Sequence, residues 1–245
     1  MDSLWIAATG ARAILRRQDA ITNNLANVDT FGYRAAQAQF RALPVYGEPL
    51  PSNAYVATQT DSTNFRQGPM IHTGRNLDVA VQGPGWIAVQ AANGSTAYTR
   101  NGDLRISGNG LLTTSDGHPV LSQNDAPISL PQLQSIQIGV DGTISGVPAG
   151  SSPSSPVVLG RIQLVNPPST QLQRGADGLF RDTQGPAQPD PAVQLASGVL
   201  EGSNVNPVQA MVQMLDNTRA FEMQTKLMQS VNQNQQAAMQ LLNVA

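Results

Sequence analysis

The sequence predicts an α+β protein in which N- and C-terminal helices flank an inserted, mainly antiparallel β domain. Apolar residues near each end of the chain recur at helical spacing, and helix-stopping residues follow the first of these patterns. Short alternating runs punctuated by glycine and proline fill the region between them. Because the two helical patterns have heptad spacing, we expect the terminal helices to pair as a coiled coil.

The N-terminal helix is predicted by apolar and small residues at alternating steps of three and four. Its seam, the stripe that would face another helix, consists of Leu4, Ala7, Ala11, Ile14, Ile21, Leu25 and Val28. The pattern stops where Asn27 and Gly32 offer side-chain capping and a left-handed backbone position. An ordinary amphipathic helix would show the same pattern, so the pairing also depends on the other terminus.

The C-terminal helix is predicted to begin at Pro207. Asn206 fits an N-cap and Gln209 fits the partner in a capping box. The seam of this helix consists of Ala210, Met214, Phe221, Met228, Val231 and Leu242. Asn217, Gln224 and Gln235 interrupt the seam, and polar residues at such positions lower stability while favouring one register.

The middle of the chain is predicted to form strands and turns. Residues 77–81 alternate as a strand, a tight turn follows at 83–85, and residues 86–89 continue as the next strand. Turns are expected at the dipeptides Asn101-Gly102, Asn109-Gly110 and Asp116-Gly117. A further strand group is expected at 136–144 and 157–165.

These elements divide the chain into three parts. Residues 1–36 together with 200–245 are expected to form a discontinuous helical assembly domain, and residues 71–199 a β-rich outer domain. Residues 37–70 are expected to be an extended linking tract. Within it the prolines between Leu43 and Gln67 indicate little regular structure.

The charge content argues for an assembly subunit and against a nucleic-acid partner. Only 12% of the 245 residues are charged, whereas soluble domains carry about 25%. The surface is therefore either simply polar and uncharged, or meant to be covered by copies and partners. The net charge is −2 and no dense run of Lys or Arg is present, so we expect no nucleic-acid binding.

The sequence offers little for catalysis. The two histidines, His72 and His118, stand in no metal or triad spacing, and the absence of cysteine excludes thiolate sites. The segment 83–85 lacks the Lys-Ser/Thr of a phosphate loop. We expect no enzyme, no cofactor and no metal. Two alternatives stay open, a hydrolase and a β-rich ligand-binding module with oligomerising helices.

Three stretches resemble one known family, the axial proteins of the bacterial flagellar rod and hook. The first is Asn23-Asn24-Leu25-Ala26-Asn27-Val28-Asp29-Thr30-Phe31-Gly32-Tyr33-Arg34. The second comprises Leu77-Asp78-Val79, then Gly83, Gly85 and Trp86, then Tyr98-Thr99-Arg100. The third is Gly198-Val199-Leu200-Glu201 followed by Ser203-Asn204-Val205-Asn206. Within the family the resemblance is greatest to the proximal rod type, with the distal rod type as a near neighbour.

The resemblance implies a structural role. Members pair their terminal helices in the inner tube of the rod and place the β domain in an outer layer. The implied partners are copies of the chain, other rod proteins and the flagellar type III export apparatus. The implied location is the basal-body rod, which spans the periplasm. The first residues show no basic run before an apolar core, so we expect export without a cleaved signal peptide.

Overall fold

The computed structural model describes residues 2–44, 54–58, 62–150 and 156–242, and it describes side-chain environments for 8–39, 62–150, 156–234 and 236. The protein is α+β, as expected, with two long helices and a set of short strands. Every strand pair among the described residues is antiparallel.

The chain folds into two compact units. The helical unit contains Met1–Val28, Ala35–Asn64 and Val205–Ala245, and the β-rich unit contains Asp29–Arg34 and Phe65–Asn204. The chain therefore passes between the units four times.

The two helices begin and end close to the positions expected from their capping residues. Helix α1 spans Asp2–Ala26 and helix α2 spans Pro207–Leu242. The predicted N-cap is confirmed, because Asn206 Oδ1 accepts a hydrogen bond of 3.1 Å from the Gln209 amide. Past the end of α1, Gly32 has a φ of 70°, which is the left-handed conformation expected there.

The helical unit also contains four strands. They are β1 (Ala36–Gln37), β2 (Phe40–Pro44), β3 (Ala54–Thr58) and β4 (Ser62–Thr63), with β1 paired to β4 and β2 paired to β3. The expectation of little regular structure between Leu43 and Gln67 is wrong for β3 and β4. Pro44 stands at the end of β2, whereas Pro49 and Pro51 lie outside the described residues.

The β-rich unit contains fourteen of the described strands. They are β5 (Met70–His72), β6 (Val79–Gln82), β7 (Trp86–Gln90), β8 (Thr96–Thr99), β9 (Leu104–Ile106), β10 (Leu112–Thr114), β11 (Leu133–Ile138), β12 (Thr143–Pro148), β13 (Val157–Arg161), β14 (Leu164–Val165), β15 (Leu172–Arg174), β16 (Phe180–Asp182), β17 (Gln194–Ser197) and β18 (Val199–Glu201). The largest sheet has the order β14-β7-β8-β16-β15, and a three-stranded sheet has the order β11-β12-β13. Strand pairs β17-β6, β18-β5 and β10-β9 complete the unit.

The core of the β-rich unit is centred on β6 and β7. Val79, Val81, Ile87 and Val89 are completely buried in a large apolar cluster. Neighbouring Ala80 and Ala88 are also completely buried, so both faces of these strands are covered. A smaller cluster contains the aromatic rings of Trp86, Tyr98 and Phe180, and the Trp86 and Phe180 ring centres are 4.7 Å apart.

Two of the three expected turn dipeptides are confirmed and one is wrong. Gly110 and Gly117 lie in turns, with φ of 77° and 85°. Gly102 does not form a turn. A Cβ atom placed on Gly102 would lie 1.6 Å from the Val79 carbonyl oxygen, so this glycine permits close approach of two backbone segments.

An ionic cluster beside β9 makes the β-rich unit sensitive to acid. Burial alone would raise the pKa of Asp103, but hydrogen bonds from Arg105 and Arg75 more than offset this and hold the pKa below its usual value. The folded pKa is therefore below the unfolded one. The stability that Asp103 contributes is present above about pH 4 and is lost as the pH falls through the folded pKa.

We expect Asp103→Asn to lower the melting temperature at pH 7 and to reduce the loss of stability on acidification below about pH 4. Thermal unfolding measured between pH 3 and pH 7 checks this. Asp125→Asn, on an exposed loop, serves as the control and should leave the wild-type acid profile unchanged. Equal acid profiles for wild type and Asp103→Asn would contradict the prediction.

Candidate functional site

One face of α1 and of the turn after it is sheltered from solvent. This face holds Ala11, Ile14, Gln18, Ile21, Leu25 and Val28. Ile21 is 4% exposed, whereas Leu15, which lies off this face, is 50% exposed. The predicted seam residues from Ala11 to Val28 therefore lie on one side, while Leu4 and Ala7 lie outside the residues whose side chains are described.

A matching face runs along α2. It holds Ala210, Met214, Asn217, Phe221, Gln224, Met228 and Val231. Ala210 and Asn217 are each 5% exposed. The structure thus places the predicted seam residues from Ala210 to Val231 on one side of α2 together with Asn217 and Gln224, whereas the side chain of Gln235 is outside the described ones. Leu242 lies outside the residues whose side chains are described.

The polar interruption at Asn217 is a contact between the two helices. Asn217 Nδ2 donates to the Ile14 carbonyl oxygen at 3.0 Å and to Gln18 Oε1 at 2.8 Å. Both N–H groups of the amide are thereby used. Elsewhere along the same contact, a Cβ atom at Gly10 of α1 would lie 3.0 Å from Gln224 Nε2 of α2. The missing side chain of Gly10 therefore allows the close approach of Gln224. These contacts fix which turn of α2 lies beside which turn of α1.

The remaining sides of α2 leave large apolar residues exposed. They are Val208, Met211, Val212, Leu215, Met223 and Leu227, which are 52–69% exposed. A free monomer rarely exposes so many apolar side chains along one element. Helix α2 therefore carries more apolar surface than its contact with α1 uses.

In the β-rich unit, the three family motifs meet at Glu201. This side chain is completely buried, and Arg34 beside it is 1% exposed. Glu201 Oε1 lies 2.6 Å from Arg34 Nη1, and Oε2 lies 3.1 Å from Arg100 Nη1. The amide of Gly68 donates to Oε1 at 2.9 Å. We call these residues, together with Gly32, the Glu201 cluster.

Arg100 connects the Glu201 cluster to the core strands. Its guanidinium donates to the Val81 and Gly83 carbonyl oxygens at 3.2 and 2.7 Å, and it lies 5.4 Å from the centre of the Trp86 ring. Burial lowers the pKa of Arg100 to about 10. The negative charge of Glu201 opposes this lowering, whereas the positive charge of Arg34 lowers the pKa further. The group remains a cation at neutral pH.

Arg174 holds the first motif from the other side. Its guanidinium stacks 4.4 Å from the Tyr33 ring centre and 5.2 Å from that of Phe180, and it donates to the Arg34 carbonyl oxygen at 2.6 Å. Tyr33, an expected motif residue, is thus placed against β15 and β16.

Gly32 is the point at which the first motif touches the backbone of the second. Its amide donates to the Glu201 carbonyl oxygen at 2.7 Å. A Cβ atom on Gly32 would lie 2.3 Å from the Arg100 carbonyl carbon, and backbone cannot yield as a flexible side chain does.

We expect Gly32→Ala to destabilise the β-rich unit by more than about 2 kcal/mol, because the positive φ and the backbone clash add. Gly74→Ala is the matched control, since Gly74 has a φ of 73° but nothing within 4 Å of the added Cβ. Denaturant unfolding of both variants checks this. Equal losses for the two would show that backbone strain alone sets the effect.

The other motif residues have mainly structural contacts. Asn24 exchanges two hydrogen bonds with the Ala36 backbone, at 2.7 and 2.8 Å, and Asn27 Nδ2 donates to the Asn23 carbonyl at 2.9 Å. Tyr98 Oη accepts from the Ala187 amide at 2.6 Å. The remaining motif residues lie in α1, in strands, or in the turns and short connections between elements. They are Leu25, Ala26, Thr30, Leu77, Asp78, Val79, Gly83, Gly85, Trp86 and Thr99.

Sequence reasoning did not assign a role to Glu201 or Arg174. Glu201 is one of three glutamates in the chain, and it stands inside a quoted motif directly before a glycine. That scarcity was a usable signal, because an isolated acid in an apolar strand needs a buried partner. Arg174 carries no signal in the sequence.

Nothing in the described part of the chain resembles a metal centre or a membrane span. Within the described ranges, no three His, Asp or Glu side chains come together in a way that could hold a metal ion. Over the same ranges, neither helix has an apolar stretch long enough to cross a bilayer.

Three family models match the chain, and they fall on the segments described above. The model of the flagella basal body rod protein matches residues 4–34, and that of the flagellar hook protein FlgE/F/G D1 domain matches residues 80–146. The model of the flagellar basal body rod FlgEFG protein C-terminal region matches residues 196–241.

Relatives match over the whole length. Flagellar basal-body rod protein FlgF of Escherichia coli (strain K12) is 43% identical, with both chains fully covered. The chain belongs to the flagellar basal-body rod protein family. FlgF of Caulobacter vibrioides is 32% identical, with 98% of each chain covered. FlgG of Buchnera aphidicola (subspecies Schizaphis graminum) is 31% identical, with 98% of this chain and 99% of the relative covered.

Membership of the rod protein family confirms the resemblance expected from the motifs. The family is one of structural rod proteins, which agrees with the expected role. The first and third motifs lie within matched segments, and the second lies partly within the matched central segment. The Glu201 cluster joins residues from all three matched segments, namely Arg34, Arg100 and Glu201.

Proposed function

We propose that this rod protein is a structural subunit of the bacterial flagellar basal-body rod, of the FlgF or proximal rod type, and that it helps the rod to transmit torque. The full-length identity of 43% to a FlgF protein carries the proposal, since both chains are covered completely. FlgG relatives match at lower identity over a similar length, so the distal rod type is the less favoured assignment.

In this proposal α1 and α2 form a coiled coil in the inner tube, and the β-rich part forms an outer layer. The assembly domain consists of residues 1–36 and 200–245, and the outer domain consists of residues 71–199. An extended tract, residues 37–70, links the two domains. The heptad order of the sheltered faces and the exposed apolar sides of α2 support this. Neighbouring copies would cover those sides by head-to-tail contacts, which generate an open helical array.

The partners in this proposal are copies of the chain, other rod proteins and the flagellar type III export apparatus. The subunit reaches the rod through that apparatus. The low charge content supports a surface that other subunits cover. The proposed role requires no cofactor, metal, nucleic acid or catalysis.

Imaging of a tagged copy along purified basal bodies tests the assignment. We expect the label at the proximal part of the rod, and we expect motility to be lost when the chain is deleted and restored when it is returned. A label at the distal rod would favour the distal type. A label away from the rod, with motility intact after deletion, would refute the proposal.

A further inference from the structure

Three stretches of the β-rich unit adjoin the points at which the chain passes to the helical unit. We call them the first crossing segment (29–34), the second crossing segment (65–69) and the third crossing segment (198–204). Hydrogen bonds to backbone carbonyls hold these segments side by side. The Asn204 amide donates to the Tyr33 carbonyl at 3.3 Å, and Asn204 Nδ2 donates to the Arg66 carbonyl at 2.7 Å.

Glu201 binds all three crossing segments from one position. It belongs to the third segment, its carbonyl accepts from Gly32 in the first, and its carboxylate accepts from Gly68 in the second. The same carboxylate faces Arg34 and Arg100. The exposed fraction of Glu201 is 0%, so the residue makes all these contacts out of reach of solvent.

The two arginines of the cluster are held differently. Arg100 donates to two backbone carbonyls besides Glu201. Among the described residues, the Arg34 guanidinium nitrogens make no hydrogen bond of good geometry, so Arg34 depends on the charge of Glu201 alone. A buried guanidinium that loses its only counter-ion is strongly disfavoured, and moving into water relieves it.

We propose that Glu201 is the positioning residue that keeps the crossing segments together, with its charge holding Arg34 and hence the first segment inside the β-rich unit. Removal of that charge releases the first segment locally, because Arg34 moves into water while Arg100 stays bound to its carbonyls. The charge of Glu201 therefore holds the crossing segments closed against one another, and we call this arrangement the closure. Force that enters or leaves the β-rich unit along the chain passes through these segments. The mechanical consequence rests on the proposed rod function, whereas the closure itself does not.

Amide hydrogen exchange on the purified full-length chain tests the closure in Glu201→Gln. The reporters are the amides of Gly32 and Asn204, whose acceptors are backbone carbonyls that the substitution leaves in place. We expect their exchange to rise about tenfold or more relative to the Ala88 amide, which bonds Gln163 in the core. The matched control is Asp177→Asn, which breaks a half-exposed pair with Arg181 and should change neither reporter.

The double variant Glu201→Gln/Arg34→Met separates positioning from general stability. Methionine fills similar space without charge, so the double variant should recover most of the lost protection at Gly32 and Asn204. Two results would overturn the proposal: equal loss of protection at Gly32, Asn204 and Ala88 in the single variant, or no recovery in the double variant.

Motility at low and high viscosity tests the mechanical consequence. Cells carrying Glu201→Gln should swim normally in dilute medium and slow down several-fold in viscous medium, and the double variant should recover. Altered exchange with unchanged swimming would keep the closure and remove its mechanical role. Unchanged swimming after deletion of the chain would instead refute the rod function.

Discussion

Arg100→Met is expected to lower the free energy of unfolding of the β-rich unit by about 3–5 kcal/mol, the usual cost of breaking a buried ion pair. The substitution removes one donor from each of the Val81 and Gly83 carbonyls and removes the cation beside Trp86. It also leaves Arg34 as the one cation paired with the buried carboxylate of Glu201 among the described residues. Denaturant unfolding in a Trp5→Phe background, in which Trp86 is the remaining tryptophan, measures the loss.

Arg181→Met is the matched control for this prediction. Arg181 pairs with Asp177 at 2.5 Å, and both side chains are 32% exposed. Such a pair contributes about 0–1 kcal/mol, since solvent screens it. A loss for Arg100→Met no larger than the loss for Arg181→Met would show that burial of Arg100 contributes nothing to stability.

Phe221→Asp is expected to abolish assembly while leaving the β-rich unit folded. Phe221 lies half-buried on the sheltered face of α2, so its replacement removes an apolar contact and places a charge where covering by another surface makes it costly. Leu25→Asp should have the same effect from α1. Motility and the recovery of the chain in basal bodies measure assembly, and Trp86 fluorescence in the Trp5→Phe background reports on the β-rich unit.

Met223→Asp serves as the control for the helix contact within the monomer. Met223 lies on the same helix but is 66% exposed, so its substitution should leave the helicity of the purified chain unchanged, whereas Phe221→Asp should lower it. Wild-type motility in both Phe221→Asp and Leu25→Asp would contradict the proposed role of this face.

Local signals in the sequence predict the elements but not their long-range contacts. Asn206, Pro207 and Gln209 fix the start of α2, because capping depends on residues within one turn. The seam spacing likewise identifies the faces that are sheltered. Gly102 misled the prediction, because a glycine after asparagine signals a turn in sequence, whereas here it allows the Val79 backbone to approach.

The Glu201 cluster shows why the rest could not be predicted. Arg34, Arg100 and Glu201 lie in three separate parts of the sequence, and no periodicity connects them. Their meeting depends on the pairing of β18 with β5 and of β17 with β6, which lie far apart in the sequence. The prediction of little regular structure after Leu43 was wrong for a related reason. Strand β3 forms by pairing with β2, and composition does not reveal such a partner.

The bond between Asn204 and Arg66 has a consequence for the order of folding. About 140 residues separate Asn64 from Val205, yet once the β-rich unit has folded its two chain ends lie side by side. The connection between Asn64 and Val205 then behaves as a loop of a few residues, because Arg66 and Asn204 are bonded. Each doubling of a loop costs about 0.6 kcal/mol in chain entropy, so roughly five doublings are saved, or about 3 kcal/mol. Helix α2 therefore joins residues 35–64 of the helical unit at a lower entropic cost once the β-rich unit has formed.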